Sequence, residues 1–169
     1  MIRNLLLVTL PLSIVLMLGA CGFQLRGSAD LPYDTLHVAA PNTSAFASEI
    51  RRSVTASSKT RVVNNPKEAQ ATLHILAEIR EKAIQALSGG GRVREFQLRY
   101  RITYRLMDKD NKELRPTTQI MLHRDLSYND TDTLSKESEE SLLYRDMQTD
   151  AVSQLLRQLQ TAPQNTAAR

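Results

Sequence analysis

The sequence predicts an α/β protein: a two-layer sandwich in which a mixed, mostly antiparallel sheet with one long hairpin carries two helices on one face. Three observations lead there. Residues 95–106, EFQLRYRITYRL, alternate strictly, with Phe96, Leu98, Tyr100, Ile102, Tyr104 and Leu106 apolar and polar residues between them; that is the pattern of a half-buried strand. Two other stretches repeat apolar residues at helical spacing, Phe46, Ile50 and Val54 in one, Leu143, Met147, Ala151, Leu155 and Leu159 in the other. A short strand on each side of the first helical stretch adds a crossover unit. A one-faced sheet and two one-striped helices each need cover, and packing them together buries all three.

The chain opens with Arg3, an uncharged apolar run from Leu5 to Leu18, and the small residues Gly19 and Ala20 before Cys21. Positive start, greasy middle and small cleavage residues describe a secretory signal peptide over residues 1–20. The run falls short of the roughly 20 apolar residues of a membrane-spanning helix, and Pro11 interrupts it. Residues 21–34, with Gly, Ser and Pro and no sustained period, read as a tether. The sandwich domain is expected over 35–160, followed by a flexible tail, 161–169.

Within the domain, TLHVAA (35–40) is a short strand, and Asn42, Thr43 and Ser44 offer N-cap oxygens to the first helix. Arg51 and Arg52 fall off its apolar stripe. TRVVN (60–64) is the second strand, ended by NPKEA. In 71–87 the alternation puts Leu73, Ile75, Ala77 and Ile79 on the core side, and Thr72, His74, Glu78, Arg80 and Lys82 on the other. SGGGR (88–92) turns the chain into the strand of 95–106, whose second face carries Gln97, Arg99, Arg101, Thr103 and Arg105. DKDNK (108–112) turns it again. A last strand, 114–128, spaces Ile120, Leu122, Leu126 and Tyr128 evenly, and Pro116 near its start predicts an edge position or a bulge. From Ser135 onward the period is helical, with Leu142, Val152 and Leu156 widening the apolar stripe.

Little in this chain suggests catalysis. The three histidines, His37, His74 and His123, lie in separate strands with no paired motif. Glu137, Glu139 and Glu140 resemble an acid pair for hydrolysis, but they fall in the first turn of the last helix, where carboxylates complement its dipole. The GGG of the turn lacks the Lys-Ser/Thr of a phosphate loop. The reading is therefore a non-enzyme with no metal. The formal charge of +4 is mildly basic and says little alone; its distribution says more. Arg92 and Arg94 flank the hairpin tip, either as a solvated turn or as guanidinium forks suited to phosphate oxygens. Lys136 sits at the positive end of the last helix if Ser135 caps it, the placement an anionic ligand would require. Arg99, Arg101 and Arg105 form either a solvated face or a contact for something anionic or polar.

Cys21 is the only cysteine, so it makes no internal disulfide. Its setting, LGAC, resembles the bacterial lipobox. That resemblance implies an S-diacylglycerol on the thiol and an N-acyl group on the new amine after cleavage, with no other cofactor. Three chains anchor far more firmly than one. Gly22 replaces the Asp often found in lipoproteins retained at the inner membrane, which favours the outer membrane. LGACGFQLRG, REFQLRYRITYRL, and Asn129 with LSKESEESLLYRDM (134–147) together resemble the LptE family of lipopolysaccharide-assembly lipoproteins, across essentially the whole chain. The triple-glycine tip departs from that family, whose members tend to carry a bulkier, more basic turn there. The resemblance implies a protein on the periplasmic side of the outer membrane that plugs and helps assemble the LptD β-barrel in a 1:1 complex, binds lipopolysaccharide and assists its delivery to the surface, with no nucleic-acid partner. It implicates Arg92 or Arg94, and Lys136, in lipopolysaccharide binding. Arg99, Arg101 and Arg105 suit an interface with a polar barrel lumen. Two other readings stay open: an auxiliary lipoprotein of another envelope lipid-transport system, and a lipid-anchored hydrolase gathering His74 or His123 with acids.

Overall fold

The computed structural model describes residues 30–41, 43–129 and 133–162. The expectations for the signal segment, for Cys21 and for most of the tail lie outside the described residues. Strands β1 (Thr35–Ala39), β2 (Arg61–Val62), β3 (Ala71–Leu87), β4 (Val93–Asp108) and β5 (Glu113–Ser127) form one sheet in the order β2-β1-β3-β4-β5. β1 pairs in parallel with β2 and β3, while β3, β4 and β5 run antiparallel. Helices α1 (Ala45–Ser57) and α2 (Thr133–Gln160) supply the second layer. The fold is the two-layer α/β sandwich that the alternation implied.

Each element forms for a local reason. Ser44 caps α1, its hydroxyl accepting the Ala47 N–H at 3.1 Å. The stripe of Phe46, Ala47, Ile50 and Val54 is fully buried against the sheet. β2 is shorter than its sequence suggested because Asn65-Pro66 diverts the chain into a 3-10 turn, Pro66–Glu68. On β4 the inward row of Leu98, Tyr100, Ile102, Tyr104 and Leu106 has no exposure at all. A register shift in β5 falls beside Pro116, and β5 is an edge strand, so the proline sits where a missing N–H does no harm. Asn111, with φ of 59°, takes the left-handed position of the turn between β4 and β5. Leu31 and Tyr33, just before β1, are also packed into the core, so the described end of the expected 21–34 tether belongs to the domain.

Three further details differ from the sequence reading. β3 carries a register shift between Ile75 and Ala77, leaving Leu76 as an extra residue. Beyond it the faces exchange: Ile79 lies opposite Arg101 on the helix-free side, 39% exposed, while Glu78, Arg80 and Lys82 turn toward the helices. Leu142 does not widen the stripe of α2 but is 53% exposed; at 100° per residue it lies about 140° around the helix from the buried Met147. Ser135 is not the cap of α2, because the helix already includes Thr133.

Candidate functional site

The β3–β4 hairpin projects a tip built by glycine. Ser88 donates its N–H to the Arg92 carbonyl at 2.7 Å, and Gly91 donates to the Ser88 carbonyl at 2.9 Å. Gly91 has φ of +74°, which an L side chain rarely adopts. Arg92 and Arg94 are exposed there, and no ion pair among the described residues engages them. The Arg94 carbonyl accepts the Tyr128 N–H at 2.8 Å, so the end of β5 returns to the same place. Phe96 and Tyr128 meet edge to face beside it, and the Lys82 ammonium lies 4.3 Å from the Phe96 ring.

α2 starts at this end and runs along the hairpin to its base. Its contacts fix the direction in order: Glu140 with Lys82 at 2.6 Å, Tyr144 with the Glu81 carbonyl at 2.7 Å, Gln148 with Arg80 at 3.1 Å, and the Gln158 carbonyl with Arg115 at 2.7 Å. Lys136, one turn before Glu140, therefore lies on the tip side of the Glu140–Lys82 pair. Its ammonium is held 2.8 Å from Glu139.

Between the helices and β3 lies a polar layer that the sequence reading missed, because it assigned Glu78, Arg80 and Lys82 to the opposite face. Glu78 accepts the Tyr100 hydroxyl at 2.8 Å and the Ser44 hydroxyl at 3.2 Å. The Arg80 guanidinium stands 5.5 Å from both the Tyr100 and Tyr144 rings. Gln148 donates to Glu49 of α1 at 2.6 Å, joining the two helices. Burial and the Glu78 carboxylate raise the Tyr100 pKa, so its hydroxyl stays a donor. Beside this layer is an open groove of about 710 Å³, lined by Arg52, Arg145 and Glu137 together with Glu49, Arg80 and Gln148. The adjacent Ile75-Leu76-Ala77, an apolar run that breaks alternation, was the only trace of the exchange in the sequence.

Among the described residues no helix lies on the opposite sheet face. Arg99, Arg101 and Arg105 all lie there, as expected. Arg99 donates to Gln97 at 2.6 Å, Arg101 pairs with Glu81, and Arg105 stands across from His74. The exchange after Leu76 also brings apolar residues to this face, with Ile79, Arg101 and Met121 in one cross-strand row. His37 and His74 sit near its base and His123 farther along, so the histidines do not converge on a common group of acids. Among the described residues no cluster of three His, Cys, Asp or Glu could hold a metal ion, and no helix is long and apolar enough to cross a membrane.

A model of the lipopolysaccharide-assembly family LptE matches residues 33–159. The chain belongs to the LptE family. No curated protein matches the sequence. Among solved structures it is similar to lipoprotein B of Nitrosomonas europaea, with 41% identity over 82% of this chain and 90% of that one, at a TM-score of 0.73. Rare lipoprotein B of Shewanella oneidensis (19% identity, 74% and 92% covered, TM-score 0.65) and a minor lipoprotein of Acinetobacter baumannii (21% identity, 77% and 92% covered, TM-score 0.62) share the fold. LptE proteins are non-enzymatic lipopolysaccharide-assembly lipoproteins. The matched range covers the hairpin, the bare sheet face and nearly all of α2, so the arginines and Lys136 lie inside the family domain.

Proposed function

We propose that this LptE protein is an outer-membrane lipoprotein, anchored on the periplasmic side through acyl groups on Cys21, that plugs and helps assemble the LptD β-barrel in a 1:1 complex. It binds lipopolysaccharide and assists its delivery to the cell surface. The observation that carries the reading is the asymmetry of the sheet: two helices pack on one face, and among the described residues the other carries no helix and presents arginines and polar groups, with Ile79 and Met121 among them, along strands of 15 to 17 residues. At about 3.3 Å per residue such strands reach about 50 Å, beyond the roughly 25 Å apolar band of an outer-membrane barrel. A barrel lumen is polar, and Arg99, Arg101 and Arg105 suit it as interface residues. The basic groups at the tip end, Arg92, Arg94 and Lys136, suit the phosphates of lipid A.

The decisive experiment purifies the lipidated protein in mild detergent and identifies what accompanies it. A large β-barrel in equal amount is the expected result. Recovery alone, or with an inner-membrane transporter, would favour an auxiliary lipoprotein of a different lipid-transport system. Reversing Arg92, Arg94 and Lys136 to Glu should weaken lipopolysaccharide binding by about tenfold or more, since each charge-assisted hydrogen bond contributes about 1.5–3 kcal/mol. The midpoint of thermal unfolding should stay near that of the wild type. Unchanged affinity would show that these groups do not contact the ligand.

A further inference from the structure

The two edges of the sheet are protected very differently. β2 is only two residues long and offers little to a passing strand. β5 is a 15-residue edge. Its guards, Pro116 and a register shift, lie before Thr118. From Thr118 to Ser127 it carries no proline, lysine or bulge.

Which backbone groups face outward follows from one bond. Tyr128 donates to the Arg94 carbonyl, so residues 94 and 128 are a hydrogen-bonded pair. With the register Phe96 to Leu126 and Leu98 to Arg124, the even residues of β5 bond to β4. The N–H and C=O groups of Gln119, Met121, His123, Asp125 and Ser127 therefore point away from the sheet. The Arg124 guanidinium donates to the His123 carbonyl at 2.9 Å, standing where a neighbouring strand's N–H would. Among the described residues no strand pairs with this edge.

We infer that β5 is a strand-addition site, and that its occupant is an extended segment of the barrel partner. Backbone amides and carbonyls in this alternation recognise another backbone, not a small ligand. The side chains set the pattern of the added segment: apolar residues toward the helices, beside Leu122 and Leu126, and polar residues on the bare face, beside His123 and Asp125. His123 lies across from Arg99 and Met121 across from Arg101, so the edge is continuous with the proposed interface and one partner covers both. The inference rests on the barrel reading.

The test uses hydrogen exchange on the lipidated protein, alone and in the complex purified with its barrel, together with two substitutions. Exchange at the Gln119, Met121, His123 and Asp125 amides should slow by about a hundredfold or more in the complex. Met121→Pro removes an outward N–H without breaking a bond to β4, so it should keep the fold but recover about tenfold less barrel. Met121→Ala, which keeps the N–H, should recover a normal amount. Equal recovery by both variants, with free exchange at those amides in the complex, would overturn the strand-addition site and leave the plug intact. No barrel with the wild type would overturn both readings. Protection already present in the isolated chain would also overturn it: a dimeric mass would assign the edge to a second copy, a monomeric mass to another segment of this chain.

Discussion

His74 shows how a single side chain on the bare face shapes stability. Burial lowers its pKa below the ordinary 6.5, and the nearby charges of Arg105 and His37 lower it further. Below pH 6.5 the unfolded chain then takes up a proton that the folded chain resists, so stability falls as pH drops through that window. His74→Gln should flatten the fall, making the loss in melting midpoint between pH 7 and pH 5 smaller by about 1–2 °C. An unchanged slope in a pH series of thermal melts would remove His74 as its source. Residue identity alone named this histidine and placed it off the core face, because it precedes the bulge. The same alternation misplaced Ile79, four residues after Ile75, since one extra residue reverses every side chain beyond it.

The bulge is the informative feature at the scale of the element. Leu76 sits outside the pairing, 47% exposed, and the exchange of faces it creates sends Arg80 and Lys82 beneath α2. Deleting Leu76 should leave the residues of β3 up to Ile84 on their present faces, because from Ala71 to Ile84 the remaining chain then alternates without interruption, the next register shift coming only after Ile84. The variant should keep its far-ultraviolet signature and melt within about 5 °C of the parent. Collapse of the fold would mean that the twist imposed by the bulge, and not the resulting parity, is what α2 requires. Helix α2 was legible in its spacing, and its inner residues, Met147, Ala151 and Leu155, are fully buried. Its outer boundary was not. Leu142 is apolar and adjacent to the stripe in sequence, yet the sheet lies on the other side.

For the molecule as a whole, the question is what an uncovered sheet face is for. Arg99 is exposed, and Arg101 is a partly exposed partner of Glu81, so neither contributes much to folding. Reversing Arg99, Arg101 and Arg105 together to Glu should shift the melting midpoint by only a few degrees, about 5 °C at most, while the amount of barrel recovered falls about tenfold or more. Normal recovery would make the face plain solvated surface. The same geometry gives the tip its setting, since the chain returns at Tyr128 to Arg94 and α2 then starts on the tip side of Lys82.

By itself the sequence determined the fold class, the strands, the two helices and their buried stripes, and the arginine-bearing face, because periodicity is a local property that burial then acts upon. It also pointed to the family through short motifs at the lipidated end, in the long strand and into the last helix. Tertiary structure alone decided the exchange of faces at Leu76, the polar layer joining Glu49, Arg80 and Gln148, the direction of α2 along the hairpin, and the placement of β5 as an outer edge that no described strand covers. Those features depend on register and on which strand ends up outermost, and both are set by pairings between residues far apart in the chain.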